Sequence, residues 1–155
     1  YDAVTNLNRN IGSTRRVGAE TEVAWRKDWY GASTRWTFVD ARMEGGENDG
    51  NRVPLVPWAY GVTSGWIEPY SRLRLTASYT FVSEQFQGND EANALREMDA
   101  YGLVGLRANV EMLDSLDLYF SVYNLFDETY AYSAYSSRYY PGAGRSVRTG
   151  ITWVY

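Results

Sequence analysis

The chain has 155 residues, the length of one ordinary domain, and its 15 basic and 19 acidic side chains give a net charge of -4. This balance offers no basic field for nucleic acid. The absence of cysteine and histidine excludes disulfides, zinc ribbons and the Ser-His-Asp, Cys-His and HExxH arrangements, so we predict a protein that is not an enzyme and uses no cofactor.

Seven segments alternate apolar and polar side chains with a period of two, which is typical of β-strands and not of helices. In chain order they cover residues 15–26, 30–38, 56–66, 72–81, 104–112, 116–123 and 146–155. The predicted apolar set of the third segment is Val56, Trp58, Tyr60, Val62 and Trp66. The pattern predicts an all-β chain.

The lengths of these segments and of their links favour a membrane barrel over a soluble sandwich. A tilted strand needs about 9 to 11 residues to cross the hydrocarbon, and several segments are that long. Short links at 27–29, 68–72 and 113–115 alternate with long links at 44–52, 87–99 and 132–144, as periplasmic turns and extracellular loops do. Aromatic residues gather at the short links, where interfacial girdles lie: Trp25, Trp29, Tyr30, Trp66 and Tyr70. We predict an antiparallel transmembrane β-barrel segment whose apolar face contacts lipid.

Four stretches carry short motifs in a fixed order. They are NIGSTRRVGAETEVAW (10–25), RVPLVPWAYGVTSGW (52–66), LDLYFSVYNLFDETYA (116–131) and YYPGAGRSVRTGITWVY (139–155). Within them stand a VP-x-VP strand start at 53–57, N-L-F-D-x-x-Y at 124–130 and P-G-x-G-R at 141–145, before an aromatic C-terminus. Together they resemble the C-terminal β-barrel portion of a TonB-dependent outer-membrane receptor, over essentially the whole chain.

The resemblance implies a receptor of the siderophore or cobalamin type, with a 22-stranded barrel closed by an N-terminal plug. Residues 1–155 would supply about seven or eight strands of that barrel, with the plug and TonB box outside this sequence. Such a receptor lies in the outer membrane of a Gram-negative bacterium and imports a scarce nutrient, foremost a ferric siderophore. The TonB complex would act through the plug. The other expected partners are membrane lipid and the barrel-assembly machinery, which would read Trp153 and Tyr155.

The Tyr-rich long link suggests a ligand-binding surface at the extracellular rim. Phenol rings stack on flat ligands and a guanidinium binds anions through charge-assisted hydrogen bonds, so an anionic ferric chelate fits this chemistry. The candidate ligand residues are Tyr132, Tyr135, Arg138, Tyr139 and Tyr140. For each tyrosine the alternative is a role in the interfacial girdle or in loop packing.

Charged side chains opposite the apolar sets are predicted to line the lumen, where paired charges would pack against a polar plug. They are Arg16, Glu20, Glu22, Arg35, Arg72, Arg74, Arg107, Glu111, Asp117 and Arg148. The acidic links at 44–49 and 90–99 are predicted to be solvated, because their spacing does not match a calcium-binding EF-hand loop. The NLFDETY stretch is predicted to be the upper end of an ascending strand, with Phe126 and Tyr130 at the outer interface.

Two alternatives remain open at the level of sequence. The seven segments and the ragged residues 1–10 would give the even strand number of a small porin or channel complete in itself, without TonB coupling. A soluble β-sheet domain would instead bind a partner or carbohydrate through an aromatic face. The residues encoded before Tyr1 would separate the first alternative from the receptor, since a plug and a TonB box belong only to the receptor.

Overall fold

A computed structural model describes residues 12–153 of the chain. Within this range the strands are β1 (Ser13–Lys27), β2 (Tyr30–Glu44), β3 (Ala59–Tyr70), β4 (Leu73–Val82), β5 (Tyr101–Leu113), β6 (Leu116–Tyr123), β7 (Ala131–Tyr135), β8 (Arg138–Pro141) and β9 (Ser146–Trp153). In the same range, no helix is long and apolar enough to cross a membrane. The predictions made for residues 1–10 and for Tyr155 fall outside the described residues.

Seven of these strands form one antiparallel sheet in the order β1-β2-β3-β4-β5-β6-β9, and β7 pairs with β8 in a separate hairpin. Tight turns join the strands at one end of the sheet. The three long loops, residues 45–58, 83–100 and 124–145, leave the other end. This arrangement confirms the all-β, antiparallel prediction with alternating short and long links. Within residues 12–153, β1 and β9 do not pair with each other, so the sheet is open.

The strand register assigns each side chain to one of two faces, because directly opposite residues of antiparallel strands point to the same side. The polar face carries Glu22 of β1 and Arg35 of β2, which are register partners; Arg35 Nη2 donates to Glu22 Oε1 at 2.7 Å. The apolar face carries Trp36, Tyr79 and Phe120 among others. Both faces of the edge strand β1 are exposed along its whole length. Within the described residues the sheet is therefore a single-layer wall with one polar and one apolar face.

The predicted faces of the third strand are wrong. The structure begins this strand at Ala59 and pairs Val62 with Arg35 on β2, so residues of even number lie on the polar face. The residues moved to that face are Tyr60, Val62 and Trp66. The apolar face of β3 carries instead small and medium side chains such as Gly65 and Ile67.

Trp66 occupies the polar face because two cations cover it. The guanidinium carbons of Arg26 and Arg74 lie 5.4 and 4.6 Å from the centre of its ring, within the range of a cation–π contact. Arg74 also donates through Nε to Glu68 Oε1 at 2.8 Å. Trp66 is therefore part of the charged wall and not of a lipid-facing girdle.

The VP-x-VP stretch is a loop segment and not the start of a strand. Leu55 has a positive φ of 58°, which turns the chain before it enters β3. Val56 and Trp58 consequently lie outside the sheet. The stretch packs instead on the upper part of β2, in an apolar cluster of Val53, Ala41, Met43, Val39 and Val56.

Buried side chains concentrate at the loop end of the sheet. Residues with at most 3% exposure are Val53, Ala59, Ser83, Gln87, Met98, Leu103, Asn124 and Ala134. We call the three loops together the loop cap, comprising residues 45–58, 83–100 and 124–145. The most densely packed part of the described chain is thus this cap, and it positions the candidate site.

Candidate functional site

Hydrogen bonds join the first loop of the cap to the second. Arg52 and Asn93 exchange two of them: the Arg52 N–H donates to Asn93 Oδ1 at 2.7 Å, and Asn93 Nδ2 donates to the Arg52 carbonyl at 3.0 Å. The Leu55 N–H donates to the Phe86 carbonyl at 2.9 Å. These contacts link segments about 30 to 40 positions apart and fix the two loops against each other.

Asp90 corrects the prediction that the acidic link at 90–99 is solvated throughout. Its side chain is 5% exposed and accepts the backbone N–H groups of Ala94 and Leu95 at 2.9 and 3.1 Å. A carboxylate that accepts two backbone donors closes a turn. Asp90 is therefore a structural residue of the second loop.

Gln87 joins the second loop to the β7–β8 hairpin of the third loop. It is 1% exposed, and its Oε1 accepts the Ser137 N–H at 2.8 Å. Its Nε2 donates to the Arg96 carbonyl at 2.8 Å and to the Tyr139 hydroxyl at 3.4 Å. The next residue, Gly88, adds a backbone bond to the Ala134 carbonyl at 2.7 Å. The buried Gln87 amide thus contacts the hairpin turn at Ser137, strand β8 at Tyr139 and its own loop at Arg96.

The hairpin carries all five predicted ligand residues. Its turn, Ser136–Ser137, has positive φ angles of 49° and 63°, the conformation of a two-residue hairpin loop. Tyr135 pairs with Arg138, and the rings of Tyr135 and Tyr140 make an edge contact at 6.0 Å. These three side chains share one face of the hairpin.

The other two predicted ligand residues have different surroundings. Tyr132 is 57% exposed, whereas Tyr139 accepts the hydrogen bond from Gln87. The ring of Tyr135 itself covers Gly88, where a Cβ would clash with it. The structure therefore brings Tyr135, Arg138 and Tyr140 together and gives Tyr135 and Tyr139 the loop-packing role that was the alternative.

A cleft of about 500 Å³ opens between the second loop and the hairpin. Its aromatic lining comes from Tyr101, Tyr130 and Tyr139, and the rings of Tyr101 and Tyr130 are 4.3 Å apart. Carboxylates of Asp99 and Glu128 also border it. Tyr101 was missed in the sequence, although its place at a strand start directly after a long loop could have suggested it.

The NLFDETY stretch is not the end of a strand. The sixth strand stops at Tyr123, and Asn124 has a positive φ of 52°. Asn124 is 1% exposed; its Oδ1 accepts the Glu128 N–H at 2.8 Å, and its Nδ2 donates to the carbonyls of Glu128 and Ala143 at 2.9 and 3.1 Å. One buried amide thereby ties the two ends of the third loop together.

Two further contacts complete this connection. The Arg145 N–H donates to Asp127 Oδ1 at 2.7 Å. The Gly142 N–H donates to the Tyr130 carbonyl at 2.8 Å, and the Tyr130 ring occupies the space that a Cβ on Gly142 would need. We call Asn124, Asp127, Tyr130 and residues 142–145 the latch. The two motifs therefore interlock to close the loop at its base.

The charges predicted to line a lumen lie together on the polar side of the wall. The register places nine of the ten on the polar face, and Arg72 lies in the turn before β4, where it donates to Asp114 at 2.7 Å. Arg107 donates to Asn109 at 2.7 Å and covers the Tyr119 ring at 4.3 Å. Near the turn end, several of these residues border a polar depression of about 400 Å³.

The Glu22–Arg35 pair is expected to add little to stability while its surroundings are solvated. Its side chains are 62% and 69% exposed, and exposed pairs contribute about 0 to 1 kcal/mol. Replacing Glu22 by glutamine should therefore change the free energy of unfolding, measured by urea titration in detergent, by less than about 1 kcal/mol. Glu20→Gln on the same strand is the control. A loss above about 3 kcal/mol would contradict this and indicate a buried pair.

A family model described as TonB dependent receptor-like, beta-barrel matches residues 1–125. The chain belongs to this family. Receptors of the TonB-dependent family are outer-membrane proteins of Gram-negative bacteria, so the described sheet is part of a TonB-dependent barrel wall. The family match ends at Leu125, and the hairpin with the candidate ligand residues follows it in the chain.

Solved structures of three transporters and uptake receptors share the fold. The ferric citrate transporter FecA, unliganded, is 25% identical, with 90% of this chain and 24% of that chain covered and a TM-score of 0.81. The ferric yersiniabactin uptake receptor FyuA from Yersinia pestis is 21% identical, with 90% and 23% covered and a TM-score of 0.78. The copper transporter OprC is 15% identical, with 90% and 23% covered and a TM-score of 0.74.

The chain spans only 21 to 24% of the length of the first solved structures that it matches. A search of curated proteins found no significant match. The similarity therefore assigns this TonB-dependent segment to the barrel wall and its loops, while the cargo has to be argued from its own side chains.

Proposed function

We propose that residues 1–155 form the C-terminal part of the barrel of an outer-membrane receptor that imports a ferric siderophore. The apolar face contacts membrane lipid, and the polar face lines the lumen against a plug that receives the TonB complex. The loop cap lies on the extracellular side. Trp153 and Tyr155 serve as the signal read by the barrel-assembly machinery.

The observation that supports this cargo is the face of the hairpin that holds Tyr135, Arg138 and Tyr140. The Arg138 side chain is exposed beside the rings of Tyr135 and Tyr140. Arg138 can therefore bind an anionic ligand while the exposed Tyr140 ring stacks on that ligand and Tyr135 holds the hairpin against Gly88. A ferric chelate is flat-sided, anionic and rich in oxygen acceptors, which suits this set. Copper favours thioether, thiolate and imidazole ligands, whereas this hairpin offers phenols and a guanidinium, which suit an anionic organic chelate better than a bare metal ion.

Replacing Arg138 by glutamine, or Tyr140 by alanine, is expected to weaken binding of a ferric chelate. A hydrogen bond to a charged group contributes about 1.5 to 3 kcal/mol, so the Kd should rise at least about tenfold for Arg138→Gln. The measurement is equilibrium binding of ferric citrate, a ferric catecholate and ferric yersiniabactin to the purified full-length receptor. Retention of wild-type Kd for all three chelates in both variants would refute the assignment of this face.

Arg96→Gln is the matched control for Arg138→Gln. Arg96 is an exposed arginine of the neighbouring loop, and its guanidinium already contacts Asp99 at 3.2 Å. The same chemical change at Arg96 should leave the Kd within twofold. If both arginine variants weaken binding equally, the effect belongs to the general charge of the loops and not to the hairpin face.

A further inference from the structure

The apolar face of the sheet contains a groove near the short-turn end. Its volume is about 680 Å³, and it crosses the strands from β1 to β6. Its floor is the row Ala32, Gly65 and Ala77, which are direct register partners on β2, β3 and β4. Larger apolar side chains form its walls: Trp25, Tyr30, Ile67, Leu75, Leu106 and Phe120.

Gly65 differs from the other glycines of the sheet in what lies above it. The Cβ space of Gly31 is taken by the Trp66 ring, that of Gly61 by Trp36, that of Gly102 by Tyr79 and that of Gly150 by Tyr119. Above Gly65, among the described residues, the nearest atom is the Gly31 carbonyl oxygen at 3.7 Å. Gly65 is not among the glycines with a positive φ.

Neither packing within the described chain nor backbone conformation therefore requires a glycine at position 65. Among the described sheet strands, four of the six other glycines make room for an aromatic ring, whereas a Cβ on Gly18 would meet the Phe38 carbonyl oxygen and one on Gly105 the Ser78 hydroxyl. Since no side chain of the described residues covers Gly65, the space above it suits a group from outside this part of the chain. The lining of the groove is apolar, so that group has to be apolar where it lies on the floor.

The residues at the turn end of the groove indicate which polar group the bound molecule carries. The rings of Trp25 and Tyr30 are 5.0 Å apart and those of Trp29 and Tyr30 are 4.6 Å apart, which makes an aromatic collar. Lys27 follows Trp25 by two positions on the same face of β1 and is the only lysine in the 155 residues. A cation beside an aromatic collar complements an anionic headgroup at a membrane interface.

We propose that this groove binds one acyl chain of an anionic phospholipid from the periplasmic leaflet, with its headgroup phosphate at Lys27. The inference rests on the proposed function for the orientation of the apolar face toward lipid. An acyl chain fills the space above Ala32, Gly65 and Ala77. Water cannot fill this space, because the core of a bilayer contains no water. The lipid contacts the three strands β2, β3 and β4 at once and reinforces the wall where these side chains are small.

Filling the groove tests the proposal. A Cβ at position 65 meets only an ordinary contact with the Gly31 carbonyl oxygen at 3.7 Å, and Ala77 is exposed, so Gly65→Leu and Ala77→Leu should fold. Ala19→Leu makes the same change on the apolar face of β1, outside the groove, and serves as the control. The measurement is native mass spectrometry of the full receptor reconstituted with phosphatidylglycerol and then delipidated in detergent.

We expect the wild-type receptor and Ala19→Leu to retain one phosphatidylglycerol, and both groove-filling variants to lose at least about four-fifths of that occupancy. Lys27→Gln should remove the preference for phosphatidylglycerol over phosphatidylethanolamine. Equal lipid retention in the wild type and both filled variants would overturn the proposal, as would a receptor dimer in which a second copy covers the groove.

The proposed function has its own readout in the same samples. Suppose that the groove-filling variants lie in the outer-membrane fraction, bind a ferric chelate and still retain the lipid. This result would support the proposed function and contradict the proposal that the groove binds lipid. Absence of the wild-type receptor from the outer membrane would contradict both the proposed function and the lipid site, because the apolar face would then not contact lipid. Phosphatidylglycerol with brominated acyl chains should quench tryptophan fluorescence, and the part of the quenching that is lost in Trp25→Phe reports on Trp25. Loss of that part in Ala77→Leu and not in Ala19→Leu would support the position of the acyl chain directly.

Discussion

Replacement of Asn124 by alanine is expected to destabilise the third loop by about 3 to 5 kcal/mol and to free it from the barrel wall. The change removes three hydrogen bonds of a buried amide and leaves backbone groups of Glu128 and Ala143 without partners, at about 1 to 3 kcal/mol each. Alanine also tolerates the positive φ of 52° less well than asparagine. Hydrogen exchange of residues 125–145 in the full receptor should accelerate at least about a hundredfold.

Two further variants separate the backbone from the side chain. Asn124→Gly keeps the positive φ without strain, so its deficit reports the lost hydrogen bonds together with the larger backbone entropy that glycine loses on folding. Asn124→Asp keeps the acceptor for the Glu128 N–H and loses both donated bonds. Asn109→Ala on the exposed polar face is the control, since Asn109 takes part in a bond with Arg107 far from the latch. Exchange within threefold of wild type in Asn124→Ala would show that the latch is not held by this amide.

The strands could be predicted because each one carries its own pattern. In β4, for example, Leu75 and Tyr79 alternate with Arg74 and Ser78, and the tight turns and long loops between such runs are visible as polar links. This information is local. It therefore gave the all-β class, the antiparallel order and the two ends of the sheet without any knowledge of contacts.

The third strand shows where local pattern fails. Alternation within β3 names two faces but does not say which one joins the apolar face of its neighbours. The tryptophan at position 66 favoured the wrong choice, because a ring covered by Arg26 and Arg74 has the same sequence signature as a ring in lipid. Only the pairing of Val62 with Arg35 decides between the two faces, and that pairing is a long-range fact.

Part of the candidate site could be predicted from the sequence, because that part is also formed by residues that are close together in the chain. Tyr135, Arg138 and Tyr140 stand close in the sequence, so their clustering was foreseeable. The motifs around Asn124 and Gly142 were noticed, but their interlocking joins positions 19 apart. Gln87 and Ser137 are 50 positions apart. A polar glutamine in a polar loop gives no local sign that it is buried and holds the hairpin.

Gln87 is the second position where one substitution should have a large effect. Its amide satisfies the Ser137 N–H, the Arg96 carbonyl and the Tyr139 hydroxyl at once, in a site that is 1% exposed. Leucine has a similar size but offers no donor or acceptor. Its neighbour Gln85 is 7% exposed and pairs with Met98 through backbone atoms, which a change of side chain leaves in place. The two glutamines therefore form a matched pair in one loop.

Gln87→Leu is expected to release the hairpin, with hydrogen exchange of residues 131–141 rising at least about thirtyfold while Gln85→Leu stays near wild type. Because a ligand then has to order the hairpin on binding, the Kd for a ferric chelate should rise about tenfold with no change in the groups that contact it. Gln87→Glu keeps an acceptor for Ser137 but places a carboxylate oxygen against the Arg96 carbonyl in a buried site, so both effects should be at least as large as in Gln87→Leu. Faster exchange with an unchanged Kd would mean that the hairpin is ordered by Gln87 but does not bind the chelate. Unchanged exchange would mean that Gly88 and the Tyr135 ring hold the hairpin without the amide.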